Sequence, residues 1–297
     1  MSDYRYLTRR DFVRDGALGA LALGVGAPVP RGAFAEAAGE AKSVVTLVRD
    51  EKVLDEAHKA DPAVVKKMLD EVIKSVTGES SAAVGWKKLV KPDDVVGLVP
   101  TKAVNPTHEE VTKAVEAAVA EAGVAADRIL SVQGKKDLVA KCTVLISLPA
   151  LKTHWLTGLG TVMKNYITFG DKKASEFHQD KNGEMGSIWL LPAVKGKTRI
   201  VIVDALQPLF ERGPKPDPKY LWHYNGLMAG TDPVAVETMA LAILMAKRKA
   251  FKGEPWELTP PPLCVAAADK EYHLGTNDPS KIALKVSGWE KDLLVSA

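Results

Sequence analysis

The sequence predicts an α/β protein, with a largely parallel β-sheet covered by helices on both faces in a Rossmann-like, three-layer arrangement. Short continuous apolar runs, typical of strands buried on both faces, alternate with amphipathic helical segments. The helical segments carry recognisable start signals. No internal repeat and no Gly-, Ser- or Pro-rich linker divides residues 36–297, so we expect them to form a single domain.

The first 35 residues are typical of an export signal rather than of a folded element. The basic stretch 8–12, Thr-Arg-Arg-Asp-Phe, precedes a modestly apolar run at 17–27 and the small-residue site Ala33-Phe34-Ala35. Paired arginines in this position are typical of a twin-arginine signal peptide. We therefore expect cleavage after Ala35 and export by the twin-arginine translocase, to the periplasm or another extracytoplasmic compartment of a bacterium. A basic tail with an amphipathic helix is the alternative.

The mature chain is almost neutral. The full sequence has 40 basic and 37 acidic residues, a net charge of +3. Residues 1–35 contain five arginines and three aspartates, so their removal leaves a net charge of +1. Such a chain has no bulk electrostatic reason to bind nucleic acid, and we expect no nucleic-acid partner.

The strands are predicted from their apolar character. The runs assigned to them are 43–48, 94–100, 128–132, 142–149, 198–206 and 281–287. Between the last two of these runs, the Pro-rich stretch 210–226 fits neither a helix nor a strand, and we interpret it as a long excursion near a site.

Each predicted helix has a start signal. The helices are predicted at 61–78, 107–123 and 232–249. Asp61 and Asp232 are N-caps followed by a proline at the first helical position. Thr107 and Glu110 have the spacing of a capping box, and Gly123 supplies a C-terminal stop.

Polar stretches follow three of the predicted strands, at 101–108, 150–158 and 204–214. In open α/β sheets, ligands bind in the crevice beyond the carboxyl ends of the strands. We therefore expect these three stretches to form loops around one binding site.

The stretch 148–165 holds most of the candidate ligand-binding groups. Lysine ammonium groups, threonine hydroxyls and the backbone N–H groups of glycine turns can bind the oxygens of a phosphate or a carboxylate. The residues that we expect to bind a small anionic ligand or cofactor are Lys152, Thr153, Thr157, Gly158, Lys164 and Asn165. Turn glycines and solvated lysines are the alternative interpretation.

Two histidines are the candidate catalytic residues. His154 lies within the stretch just described, and His108 lies at the start of a helix, where a neutral imidazole can act as an acid, a base or a metal ligand. Asp204 ends a predicted strand, where its carboxylate can orient a histidine or bind a metal. Asp232 and Glu237 are further candidate ligand-binding carboxylates, although Asp232 also fits a simple helix cap. The sequence leaves open whether a metal binds.

Cysteines are too few for most redox cofactors. Cys142 and Cys264 lie far apart, and the sequence has no CxxC motif, so we expect neither an iron–sulfur cluster nor a structural zinc site. Both thiols fit small buried side chains, and a disulfide between them is the alternative in an exported protein. The identity of any other cofactor stays open.

Four stretches together resemble the domain of unknown function 362 family. They are 105–123, 144–165, 227–241 and 273–282, and the K-T-H-x-x-T-G-x5-K-N block at 152–165 is the most specific. The resemblance covers roughly residues 95–285 and implies no particular reaction. Many relatives carry an added cysteine-rich, ferredoxin-like segment that this sequence lacks, and relatives commonly have Asp where Glu237 stands.

A weaker similarity is to the N-terminal domain of nickel-dependent lactate racemases. In that family a histidine, a glycine four positions later and a lysine ten positions later lie in the cofactor-attachment motif, and His154, Gly158 and Lys164 have the same spacing. Thr161 and Val162 replace the serine and extra glycines of the motif. The similarity implies shared architecture.

The leading hypothesis is an exported protein that binds a small anionic ligand and acts on it, with or without a metal ion. The rival is a non-catalytic periplasmic accessory protein that delivers a cofactor or docks on a partner enzyme. In that case Trp155, Trp222 and Tyr224 would lie at an interface. A redox protein is a third hypothesis, and it is weaker because the sequence has no clustered cysteines.

Overall fold

The computed structural model describes residues 42–295. The predicted signal peptide therefore lies outside the described residues. Within them, strands form one sheet in the order β3-β2-β4-β7-β8-β1-β9, and β5 pairs with β7 and with β6. The strands are Ser43–Arg49 (β1), Val96–Pro100 (β2), Ile129–Ser131 (β3), Val144–Leu148 (β4), Ala150–His154 (β5), Gly158–Leu159 (β6), Thr198–Leu209 (β7), Gly226–Gly230 (β8) and Ile282–Gly288 (β9).

The predicted fold class is confirmed. The β2–β3, β2–β4, β4–β7, β5–β7 and β1–β9 pairs are parallel. The exception in the main sheet is β8, which runs antiparallel to both of its neighbours, β1 and β7. Sequence analysis did not identify β8 or the two-residue β6.

Helices cover both faces of the sheet. They are Pro62–Thr77 (α1), Ala82–Leu89 (α2), Glu109–Glu121 (α3), Lys136–Lys141 (α4), Val162–Asn165 (α5), Pro233–Lys252 (α6) and Leu263–Lys270 (α7). Within the described residues, no helix combines the length and the apolar character that crossing a membrane requires.

The two faces of the sheet have separate hydrophobic cores. Along β7, Ile200 and Ile202 pack in the core beneath α1, α2 and α3, whereas Val201 and Val203 pack in the core beneath α5, α6 and α7. Successive strand residues point to opposite faces, so an apolar run of this kind is buried on both sides. These two cores give the three-layer architecture.

The predicted starts of α1 and α6 are confirmed, but the predicted start of α3 is wrong. Asp61 and Asp232 each accept two backbone N–H bonds at a helix start. In contrast, α3 begins at Glu109 without a side-chain cap. The Thr107 hydroxyl donates instead to the carbonyl of Leu148, and so ties the polar loop after β2 to the end of β4. This tertiary bond replaces the expected capping box.

Two of the three expected loops are strands. Residues 150–154 form β5, which pairs with β7, and β7 continues to Leu209. Asp204 is therefore an interior strand residue rather than a strand-end residue. The stretch expected to be irregular, 210–226, is so up to residue 225, with one 3₁₀ turn at Pro218–Tyr220, and its last residue begins β8.

Candidate functional site

A group of basic side chains meets where β5 and α5 approach each other. We call Lys152, His154, Lys164 and His178 the basic cluster. Alternate residues of a strand share a face, so Lys152 and His154 lie on one face of β5 and Thr153 lies on the other. His178 lies in the irregular segment after α5. Lys152, His154 and Lys164 are each less than a tenth exposed.

Lys164 is a buried ammonium without a carboxylate partner. Its Nζ lies 2.8 Å from Nε2 of His178, and in the described part of the chain it takes part in no ion pair with Asp or Glu. Burial lowers the pKa of Lys164 to about 8. The acidic group whose charge would favour this ammonium is the Cys264 thiol, and burial raises the pKa of that thiol well above its usual value. Lys164 thus has no effective counter-charge at neutral pH.

His154 is a neutral hydrogen-bond donor beside Lys164. Its Nδ1 accepts the backbone N–H of Leu156 at 3.1 Å, which places the ring proton on Nε2. Its ring stacks on that of His178, with the ring centroids 5.6 Å apart. Burial, together with the charges of Lys164, His178 and Lys152, lowers the pKa of His154 to about 3. Such a weak base suits hydrogen bonding to a ligand better than proton abstraction.

Lys152 anchors a loop instead of offering a free ammonium. Its Nζ donates to the backbone carbonyls of Val104 at 2.7 Å, Asn105 at 2.9 Å and Ala103 at 3.4 Å. Val104 and Asn105 have φ angles of 43° and 53°, which are unfavourable for residues other than glycine. Burial and the charge of Lys164 lower the pKa of Lys152 to about 8. All three N–H groups of Lys152 are thus used by backbone carbonyls in this structure, and ligand binding by Lys152 stays a prediction.

The loop anchored by Lys152 leads directly to His108, which is bonded to Asp204. One carboxylate oxygen of Asp204 accepts both the backbone N–H and the Nδ1 of His108, each at 2.7 Å. Burial disfavours the imidazolium, but the charge of Asp204 and the hydrogen bond to it outweigh burial and raise the pKa of His108. Within residues 42–295, Nε2 of His108 takes part in no hydrogen bond. Lys152 interacts electrostatically with both Asp204 and Lys164, so this pair adjoins the basic cluster.

The remaining candidates from residues 153–165 hold the backbone in place. The Thr153 hydroxyl accepts the N–H of Gly213, and the Thr157 hydroxyl donates to the carbonyl of Leu159. The side chain of Asn165 donates to the carbonyl of Val99 and accepts from the hydroxyl of Thr101. These side chains bond to other groups of the protein in this structure, and ligand binding by them stays a prediction.

The expected anion site at the glycine turn is also not formed. Gly158 has a φ of 70°, and a Cβ atom there would lie 2.4 Å from the carbonyl oxygen of Pro260. The neighbouring Gly160 N–H donates to the carbonyl of Lys152. Gly158 is therefore required by close packing, and its turn presents no set of free N–H groups.

The buried carboxylate of Glu237 does not face an open crevice but contacts α5. Its carboxylate accepts the N–H of Val162 at 2.7 Å and that of Met163 at 3.0 Å. Burial raises the pKa of Glu237 to about 7, although these two hydrogen bonds act to lower it. Glu237 thus positions the short helix that carries Lys164 rather than contacting a ligand.

Asp232 lies away from the basic cluster. Besides capping α6, it accepts from the Ser43 hydroxyl and the Thr276 N–H. It follows Gly230, which pairs with Val201 near the start of β7, whereas Asp204 lies further along that strand. In this structure Asp232 caps a helix and bonds to residues near the start of the sheet, and a role in binding the same ligand stays a prediction.

His178 is the site residue whose importance sequence reasoning missed. Its segment is irregular, and no spacing pattern links it to Lys164. Burial and the charge of Lys164 lower its pKa, so it is a neutral acceptor for the ammonium. Across residues 42–295, no group of three or more His, Cys, Asp or Glu side chains is placed to hold a metal ion. Cys142 and Cys264 are separate buried thiols.

Together, these observations define an α/β protein with a buried basic cluster beside a His–Asp pair. The family model described as Domain of unknown function (DUF362) matches residues 54–242, and the chain belongs to this family. The match includes every residue of the basic cluster. It begins earlier and ends earlier than the resemblance in the sequence suggested. Neither the curated proteins nor the solved structures contain a match.

Proposed function

We propose that the protein binds a small anion, a carboxylate or a phosphate, at the basic cluster. The observation that carries the proposal is the buried ammonium of Lys164, which has a neutral histidine as its hydrogen-bond partner and, within residues 42–295, no carboxylate partner. A buried charge is costly unless it is paired, and an anionic ligand would supply the missing charge.

The donors at the cluster suit an anion with several oxygens. When Lys164 is charged, Nε2 of His178 accepts one of its three N–H groups, which leaves two for a ligand. Nε2 of His154 carries a proton, because Nδ1 of this ring is an acceptor. His154 and Lys164 therefore each offer hydrogen-bond donors, and the side chains of both contact His178.

The adjoining His108–Asp204 pair supports a role in proton transfer to or from the bound ligand. Asp204 fixes the orientation of the imidazole and raises its pKa, which is the arrangement that a general acid requires near neutral pH. His108, rather than His154, is therefore the residue that we assign to acid–base chemistry. The bound anion would be the substrate of this proton transfer.

Calorimetric titration with inorganic phosphate and with acetate tests the proposal. Lys164→Gln removes a charge-assisted hydrogen bond worth about 1.5–3 kcal/mol, so affinity should fall by about 10- to 100-fold. Lys195→Gln, at an exposed position, is the matched control and should bind like the wild type. Wild-type affinity should also fall as the pH rises through 8, where Lys164 loses its proton. Equal affinities for the two variants, or no binding by the wild type, would refute the proposal.

The rival accessory role is less well supported by the aromatic side chains. Tyr224 is buried and stacks under the guanidinium of Arg49, and Trp222 packs against Phe210. Of the three aromatics expected at an interface, Trp155 is the exposed one, at 63%. Together these residues do not form a contiguous outward patch.

We also propose export by the twin-arginine translocase, on the evidence of residues 1–35 alone. The test is to express the full chain in a bacterium and to separate periplasm from cytoplasm. The wild type should appear in the periplasm with Glu36 as its first residue. The double variant R9K/R10K should stay in the cytoplasm with its N-terminus intact. Cytoplasmic, uncleaved wild-type protein would contradict this proposal.

A further inference from the structure

A pocket opens next to the basic cluster, on the outer side of His154. Its volume is about 450 Å³. Besides His154, its lining residues include Trp155, Trp256, Leu258, Arg212 and Arg248, together with the acidic residues Glu211 and Glu257. Ligand pockets commonly combine aromatic walls with a few polar groups in this way.

Trp155 is an exposed indole on a rigid turn. Its backbone N–H donates to the carbonyl of Gly213 at 2.7 Å, and the next residue, Leu156, donates to Nδ1 of His154. The turn is closed by pairing of His154 with Gly158. A large apolar side chain held in the open is costly in water. The fixed backbone and the 63% exposure together suit a surface on which a flat group stacks.

A second part of the pocket lining, the indole of Trp256, is held in place by Arg248. The guanidinium of Arg248 lies 4.1 Å from the ring centroid of Trp256 and donates to the carbonyls of Phe210, Trp256 and Glu257. Arg248 also forms an ion pair with Glu211. Its charge is therefore compensated within the protein, and its role in the pocket is to hold the indole of Trp256 in place. Arg212 is exposed and has no ion pair in the described part of the chain.

We propose that this pocket holds a planar ring of the ligand, so that the ligand class is an anion that carries an aromatic ring. This inference rests on the proposed function, because the anionic group of the same molecule would lie at Lys164. His154 connects the two sites: it lines the pocket, and its ring stacks on His178, which contacts Lys164. The ring would stack on Trp155, with the anionic group directed past His154 to the ammonium.

Phenyl phosphate and methyl phosphate are the matched probes. They carry the same anionic group, and one of them adds a ring. Calorimetric titration of the wild type should show about tenfold tighter binding of phenyl phosphate, the size of one aromatic contact. Trp155→Ala should abolish this preference without changing the affinity for methyl phosphate, and Trp155→Phe should retain most of it. Lys164→Gln should weaken the binding of both probes.

The outcomes separate the two proposals. If the wild type binds both phosphates equally, or if Trp155→Ala keeps the preference, the pocket does not hold the ring and the anion site stands. If the wild type binds neither phosphate ester, the ring pocket fails; if inorganic phosphate and acetate also do not bind, the proposed function fails with it. Because Trp155 is exposed, its variants should fold, and a melting temperature equal to that of the wild type would verify this.

Discussion

Replacing Glu237 with glutamine should change how the stability of the protein depends on pH. The carboxylate of Glu237 is fully buried against the N–H groups of Val162 and Met163. Its pKa in the folded protein is about 7, compared with 4.5 for a free side chain. Between these two values the folded state holds a proton that the unfolded state has released. The free energy of unfolding therefore falls as the pH rises through this window.

The size of the effect follows from the two pKa values of Glu237. At about 1.36 kcal/mol per pH unit, a rise from 4.5 to about 7 corresponds to a loss of about 3 kcal/mol between pH 4.5 and 7.5. A neutral glutamine has no proton to release, so Glu237→Gln should become more stable relative to the wild type by that amount as the pH rises. Other titrating groups are common to both proteins, and their contributions cancel in the difference.

Denaturant unfolding of both proteins at a series of pH values measures this difference. Glu116→Gln, at an exposed position of α3, serves as the control, and its difference from the wild type should not depend on pH. A pH-independent difference for Glu237→Gln would refute the reasoning. It would show that the carboxylate does not retain a proton through this window in the folded protein.

Three further outcomes are expected. Gly158→Ala should lower the free energy of unfolding by about 1–3 kcal/mol more than the control Gly78→Ala. Both glycines have a φ of 70°, but a Cβ atom would meet a backbone oxygen at Gly158 and nothing within 4 Å at Gly78. Equal losses in thermal denaturation would contradict this. Lys152→Met should speed amide hydrogen exchange in the loop before His108, because three carbonyls lose their donor. Unchanged exchange would show that other contacts hold the loop. Asp204→Asn should lower the pKa of His108 in an NMR titration. An unaltered titration would show that Asp204 does not raise the pKa of His108.

The helices α1, α3 and α6 and the layer order could be predicted because their causes are local, whereas the shorter helices α2, α4, α5 and α7 were not predicted. An aspartate followed by a proline starts both α1 and α6, and the apolar periodicity of each helix marks its buried face. Strands buried on both faces are visible as continuous apolar runs. No tertiary information is needed for these elements.

The errors arose where tertiary contacts override local pattern. Strand β8, with the sequence Gly-Leu-Met-Ala-Gly, has no β-branched residue and two glycines, so it carries no strand signal. The apolar run assigned to β7 ends at residue 206, yet this strand continues through Pro208 to Leu209 beside β5, where its pairing is irregular. Asp204 was therefore placed at a strand end by sequence reasoning and lies within the strand instead.

The basic cluster was predicted in part. His154 and Lys164 do lie near each other, as the spacing around residue 158 suggested. The sequence did not show that three backbone carbonyls would accept the N–H groups of Lys152. It also did not show that His178 would be the hydrogen-bond partner of Lys164. Such pairings depend on how irregular segments fold back on the sheet, and no periodicity in the sequence encodes that.

The position of β1 has a consequence for biosynthesis. This strand, the first of the described chain, is hydrogen-bonded to β8 and β9, which are among the last segments to be synthesised. The sheet cannot close around β1 until the ribosome has made Ile282–Gly288. A nascent chain that is still attached to the ribosome thus exposes the amino-terminal strand, and a nonsense mutation just before residue 282 would leave it on an open edge.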